Sequence, residues 1–133
     1  MAEKSFADIS ILVVEDGMFS RNVLVKVLDG MGPGKVKHAL NGEMALKMLF
    51  EVEKPFDLII TDIMMPGMDG FDLVQRIRWG EAPGHEKVPV IVLTGKDPQK
   101  NEERSQQFDI AAFLVKPPRP DELRAAIEQA LNL

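Results

Sequence analysis

A chain of 133 residues with 45% hydrophobic and 28% charged content has the size and composition of one compact soluble domain that can bury its own core. Its net charge of −5, from 21 acids against 16 bases, argues against a nucleic-acid surface; no apolar run reaches membrane-span length, and the polar opening Met1-Ala2-Glu3-Lys4 is no signal peptide. The absence of cysteine excludes disulfides and thiolate chemistry, leaving the cytoplasm as the default location.

No repeat, low-complexity tract or linker divides the chain, so residues 1–133 read as a single domain. Ile9 to Val14 is a short β-rich apolar run of the kind a strand buried on both faces shows. Val23, Leu24, Val27 and Leu28 then recur at helical spacing until Gly30 and Gly32 end the pattern. Lys35 to Leu40 predicts a second strand, turned by Asn41-Gly42 into a helix carrying Ala45, Leu46, Met48 and Leu49. Leu58 to Thr61 predicts a third strand, followed by a loop from Met64 to Gly70 and a helix with Phe71, Val74 and Ile77. Trp79, expected to cover the end of that helix, opens a loop that runs to Lys87. A fourth strand is expected over Val88 to Leu93, a more polar helix over Pro98 to Phe108, and a fifth strand over Ala112 to Val115. Pro120-Asp121-Glu122 opens the last helix, whose apolar face carries Leu123, Ala126, Ile127 and Leu131.

Five strands alternating with helices imply an α/β fold: a parallel sheet with right-handed crossovers and helices on both faces. Ligands of such sheets bind outside the carboxyl ends of the strands. The residues there are Glu15-Asp16, Asp62, Thr94-Gly95 and Lys116-Pro117. Crowded carboxylates repel unless a cation sits among them, and an all-oxygen donor set without His or Cys suits Mg²⁺. A lysine and a hydroxyl at the same edge suit phosphate oxygens. Phosphoryl transfer needs mainly an in-line nucleophile, a divalent cation and charge neutralisation, and Asp62, central in the set, is the natural nucleophile. Singly, each residue has an ordinary reading. Glu15 and Asp16 could cap a helix, Asp62 could make an Asx turn, Thr94 could be a plain strand residue and Lys116 a solvated one. Their convergence after successive strands is what these readings fail to explain.

The segments Val13-Val14-Glu15-Asp16, Thr61-Asp62-Ile63-Met64-Met65-Pro66-Gly67-Met68-Asp69-Gly70, Leu93-Thr94-Gly95 and Phe113-Leu114-Val115-Lys116-Pro117 resemble the response-regulator receiver domain of two-component signalling. The resemblance covers nearly the whole chain. It implies a flavodoxin-like, doubly wound sheet of five strands in the order 2-1-3-4-5 with five helices. It also implies a phosphorylated signalling switch rather than a metabolic enzyme. Asp62 would take a phosphoryl group from a phosphohistidine of a histidine kinase or phosphotransfer protein. Asp16, Asp62 and the Met64 carbonyl would bind Mg²⁺, with Glu15 acting through a metal-bound water. Thr94 and Lys116 would contact the phosphoryl oxygens, Thr94 and Phe113 would form the switch pair, and Lys116-Pro117 is a candidate cis bond.

Met64 and Lys96, each two residues past a site residue, are expected to tune phosphate lifetime; Met64 offers no hydrogen bond to an attacking water. The second member of an aspartyl-phosphate phosphatase's acid/base pair would stand where Met64 is, which counts against that enzyme. A phosphorylation-silent scaffold is the remaining alternative. Phe113 could equally be core packing, and Met64, Met65 and Met68 read as an apolar loop cluster. His38 and His85 show no metal spacing and read as incidental. Gly30 to Lys35 departs from a phosphate-loop pattern at Asp29 and Val36. Pro118-Arg119-Pro120 reads as a rigid connector. An output protein is expected on the face made by the polar fourth helix, fifth strand and last helix, with the chain acting as a monomer or a phosphorylation-dependent dimer. The dimer mode of winged-helix regulators is not assured, because no arginine precedes Ile127. The start at Met1 favours a stand-alone receiver over a fragment.

Overall fold

The computed structural model describes residues 5–95 and 106–133. Its five strands are β1 (Ser10–Val14), β2 (Lys35–Ala39), β3 (Leu58–Asp62), β4 (Val90–Thr94) and β5 (Ala112–Val115). All pair in parallel in the order β2-β1-β3-β4-β5. Helices α1 (Met18–Asp29), α2 (Gly42–Glu51), α3 (Gly70–Arg78) and α4 (Pro120–Leu131) connect or follow them. The fourth helix expected from sequence falls largely on residues 96–105, outside the described residues; residues 106–108 are helical.

The central strands β3 and β4, LIITD and VIVLT, are buried throughout, as strands covered on both faces must be. Alternation then sorts their side chains into two cores. Leu12, Val14, Ile59, Val90 and Val92 pack with Ala45 and Leu49 of α2 and with Phe71, Val74 and Ile77 of α3. Ile11, Val13, Ile60 and Ile91 point the other way, onto Leu24 and Leu28 of α1 and Leu123 and Ile127 of α4. Edge strand β2 carries exposed Lys35 and Lys37, charges that discourage edge-to-edge pairing.

Local signals set the helix ends. Asn41 accepts a hydrogen bond from the Met44 N–H, and Asp69 and Asp72 form a reciprocal capping box at α3. Arg78, the last residue of α3, received no role from sequence. Its guanidinium donates to the carbonyls of Glu86 (3.0 Å), Val88 (2.8 Å), Phe108 (2.9 Å) and Asp109 (3.2 Å). One side chain thereby ties α3 to the segments leading into both β4 and β5.

Several boundaries differ from expectation. β1 begins at Ser10, β2 stops at Ala39, and β4 runs from Val90 to Thr94. Asp62 and Thr94 are therefore the last residues of their strands, not the first beyond them. Trp79 does not cover α3: it is 74% exposed and contributes its backbone N–H to the helix end. The methionine cluster divides, with Met65 buried, Met68 packed against the first core and Met64 79% exposed. His85 is not incidental, since it is buried and hydrogen-bonded.

Candidate functional site

Parallel strands bring their carboxyl ends to one edge, and the register aligns them: Val14 pairs with Thr61, Asp62 with Leu93, and Thr94 with Val115. The ladder persists one residue further on two strands, where Glu15 N–H donates to the Ala39 carbonyl and Lys116 N–H to the Thr94 carbonyl. Glu15 and Lys116 are thus held by backbone as firmly as strand residues. The bond joining Lys116 to Pro117 is cis.

Lys116 Nζ lies 2.6 Å from Glu15 Oε1 and 3.0 Å from Asp62 Oδ2. One ammonium therefore bridges two carboxylates that are nearly inaccessible to water. Asp16 joins them from the exposed side, and one carboxylate oxygen from each of Glu15, Asp16 and Asp62 lies within 4.8 Å of the others. Burial foremost, together with the hydrogen bond and charge of Asp62, pushes the Glu15 carboxyl above its ordinary range despite the opposing pull of Lys116. For Lys116, burial alone would lower the pKa, but its bonds to Glu15 and Asp62 outweigh that and hold the ammonium above its ordinary value. Among the described residues, Lys116 is the cation that pairs with these carboxylates, while Arg21 reaches only the Glu15 carbonyl at 3.3 Å. The three acids are left with a local excess of negative charge.

That excess and the donor chemistry fit a hard divalent cation. All candidate ligands are oxygens, and Glu15 Oε2 is buried without a hydrogen-bond partner among the described residues. A cleft of about 190 Å³ lies beside Asp16, lined in part by Asn41, Pro66 and Met68.

Thr94, buried at the end of β4, completes the edge. Phe113 pairs with Val92, two residues before the Thr94–Val115 pair, so it projects from the same sheet face as Thr94. It is half-buried, with its ring 6.1 Å from that of Phe71, and so it does pack against the α2–α3 core. Met64 follows Asp62 into the loop with its side chain exposed. Lys96 lies outside the described residues.

Two glycines shape the loop after Asp62. Gly67 has φ +77° with open space around it, so its need is conformational. Gly70 is a matter of space, because a Cβ there would collide with the Asp62 carbonyl oxygen and crowd Ile63 Cα. Gly70→Ala is expected to cost about 2 kcal/mol or more, since backbone rather than a flexible side chain must yield. Urea denaturation measures it, and a cost below about 0.5 kcal/mol would show that the loop relaxes freely.

The model of the response-regulator receiver domain matches residues 11–128. The chain belongs to this family. Receivers accept phosphoryl groups in two-component signalling, bind Mg²⁺ at an acidic pocket and interact with histidine kinases or phosphotransfer proteins. This receiver is 32% identical over 120 residues to a probable chemotaxis protein CheY of Rhizobium etli, covering 90% of each chain. It is 30% identical over 132 residues to the cyclic di-GMP phosphodiesterase response regulator RpfG of Xanthomonas campestris, spanning 99% of this chain but 34% of that protein. It also spans about a tenth of the histidine kinase CKI1 of Arabidopsis thaliana. Among solved structures, Vibrio cholerae CheY4 superposes with TM-score 0.82 at 27% identity, over 93% of this chain and 99% of that one. The CKI1 receiver domain, complexed with Mg²⁺ and BeF₃⁻, superposes with TM-score 0.76 at 29% identity, over 90% of each chain. The fold class and sheet order expected from sequence are those of these receivers.

Arg78 and the close approach at Gly70 are the contributors that sequence reading missed. By sequence, Asp69 and Gly70 read as loop residues, and nothing in the residue type announces which carbonyl a missing Cβ makes room for.

Proposed function

We propose that Asp62 takes a phosphoryl group from a phosphohistidine on a histidine kinase or phosphotransfer protein, in a cytoplasmic setting, and so switches a protein-interaction face. The observation that carries this reading is the Lys116 ammonium bridging Asp62 and Glu15 inside a three-carboxylate cluster. An Asp62 carboxylate oxygen attacks phosphorus and the phosphorus–nitrogen bond breaks, its electron pair going to the ring nitrogen. A phosphohistidine protonated on its other nitrogen thereby leaves as neutral imidazole. Lys116 then pairs with a phosphoryl oxygen instead of a carboxylate, and the Thr94 hydroxyl donates to another. Glu15, Asp16, Asp62 and the Met64 carbonyl would hold Mg²⁺, which when bound supplies positive charge to the transferring group. An apolar cavity of about 250 Å³ between Phe19, Val23 and Val27 of α1 and Pro117-Pro118 opens beside Glu15 and Lys116, offering a donor protein a footing next to the nucleophile.

Phosphorylation replaces one carboxylate charge with roughly −1.5 to −2. Thr94 and Phe113, which project from one sheet face, would relay that change to an output face that includes β5 and α4. Incubation with Mg²⁺ and acetyl phosphate, followed by mass mapping, tests the proposal. A stable acid-labile label on Asp62 supports it, continuous turnover of phosphodonor supports a phosphatase, and no label supports a silent scaffold.

Phosphate lifetime gives a separate expectation. Exposed Met64 cannot orient water by hydrogen bonding, so self-dephosphorylation should be slow and Met64→Asn several-fold faster. Decay of the label measures this, and an equal or longer lifetime in the variant rules the idea out.

A further inference from the structure

At the end of the sheet away from Asp62, the loop between α3 and β4 buries a histidine. His85 is 1% exposed, and its Nε2 accepts the Phe56 backbone N–H at 3.0 Å. Nε2 must therefore be unprotonated, which puts the ring proton on Nδ1. Nδ1 is itself buried and has no hydrogen-bond partner among the described residues. The ring leans on Phe56, 6.3 Å between centroids at 37°. The loop backbone closes around the same residue, since His85 N–H donates to the Ala82 carbonyl and Val88 N–H to the His85 carbonyl.

A neutral imidazole fits this site and a charged one does not. With both nitrogens protonated, the Nε2 proton would face the Phe56 N–H, donor against donor. The charged neighbours do little to compensate. Glu86 favours the charge, but its carboxylate already accepts the Gly84 N–H at 2.9 and 3.1 Å. Glu81 and Lys87 flank the loop in sequence. Ahead of β3 stand Lys54 and Asp57, and the Asp57 carboxylate accepts from Ser10 at 2.8 Å. From β2, Lys35 adds positive charge 5.8 Å from the Phe56 ring.

We propose that His85 is a pH-operated latch: neutral, it pins the 80–88 loop to the start of β3, and protonated, it lets that loop go. Release would reach beyond the loop, because the Glu86 and Val88 carbonyls are two of the four that Arg78 holds, and the other two lead into β5. Burial pushes the His85 imidazole below its ordinary 6.5, so the open loop binds the proton more readily than the closed one. The latch is therefore fully engaged above that ordinary value and weakens as pH falls through the lower value of the closed state.

Amide hydrogen exchange by NMR, corrected for the intrinsic pH dependence, tests this on the full chain between about pH 8 and about pH 5. Protection of the Phe56 and Val88 amides should fall several-fold on acidification relative to the Ile59 amide in β3. His85→Gln, whose side-chain oxygen can take the place of Nε2, should flatten that dependence. Ring-nitrogen NMR of the unmodified protein supplies a second reading, with His85 titrating below the ordinary imidazole value of 6.5. Unchanged relative protection, an equal fall in His85→Gln, or His85 titrating at or above 6.5 would each overturn the proposal. None of these readouts depends on phosphorylation of Asp62.

Discussion

Asp62→Asn is expected to reduce the acid-labile label to background while making the metal-free protein more stable. The first effect follows from chemistry: an amide oxygen is too poor a nucleophile to form the acyl phosphate. The second follows from charge. Asp62 is attracted to Lys116 at 3.0 Å but repelled by both Glu15 and Asp16, whose oxygens lie within 4.8 Å. An asparagine oxygen still accepts from Lys116, so the variant sheds two repulsions and keeps a hydrogen bond. Direct repulsion at such distances is about 3 kcal/mol at an effective dielectric of 20, and solvent around exposed Asp16 reduces it. A net gain of about 1 kcal/mol is the expected result. Mg²⁺ should reverse the ranking by stabilising the unsubstituted protein more. Urea denaturation with and without Mg²⁺ measures both. A variant less stable than the parent in the absence of metal would contradict the electrostatic account of the cluster.

Lys116→Met is expected to do the opposite to stability. It removes the cation from Glu15 and Asp62 together, leaving two carboxylates that are almost entirely buried. Stripping one partner from a fully buried pair costs about 3–5 kcal/mol. Here Lys116 is itself 24% exposed, and Glu15 can escape by taking a proton, so about 2 kcal/mol is expected at neutral pH. The pH dependence has a definite sign. Glu15 already has a raised pKa in the folded chain, mainly through burial, and loss of Lys116 raises it further. A raised folded value means stability that is fully present below the ordinary 4.5 and is lost as pH rises through the folded value. The variant's deficit should thus shrink as pH is lowered from about 7 toward about 5. Phosphorylation should persist at a much reduced rate, because the nucleophile remains while the positive charge meant for the phosphoryl oxygens is gone. Equal stability of variant and parent at neutral pH would mean that the two ion pairs contribute nothing.

Much of this molecule is legible in its residues alone. β3 and β4 stand out as short apolar runs rich in β-branched residues because they are covered on both faces, and such strands have no polar side to show. The helices beginning after Asn41 and Asp69 are legible as breaks between apolar patterns, read as a turn and a loop. The structure shows both residues as caps, oxygen-bearing side chains that accept from N–H groups three residues on. The strand-end rule then locates Glu15, Asp62, Thr94 and Lys116 on one edge without reference to any motif. Boundaries are less clear. Thr94 and Asp62 prove to be the closing residues of their strands, since backbone pairing continues wherever a neighbouring strand offers an acceptor, whatever the side chain.

What the sequence determined by itself is the set of elements and the edge on which the charged residues gather, because periodicity, capping and parallel connection are properties of short stretches and of chain order. What only the tertiary structure decided is which charge meets which. Lys116 joins Glu15 and Asp62, 101 and 54 residues away, rather than standing in water. Arg78 clamps four carbonyls from two segments, and His85 turns from an incidental residue into a buried acceptor for Phe56. Residue type reveals a side chain's capacity to donate, accept or carry charge. Its partners are set by where packing buries it, because a polar group removed from water takes the partner the fold places beside it.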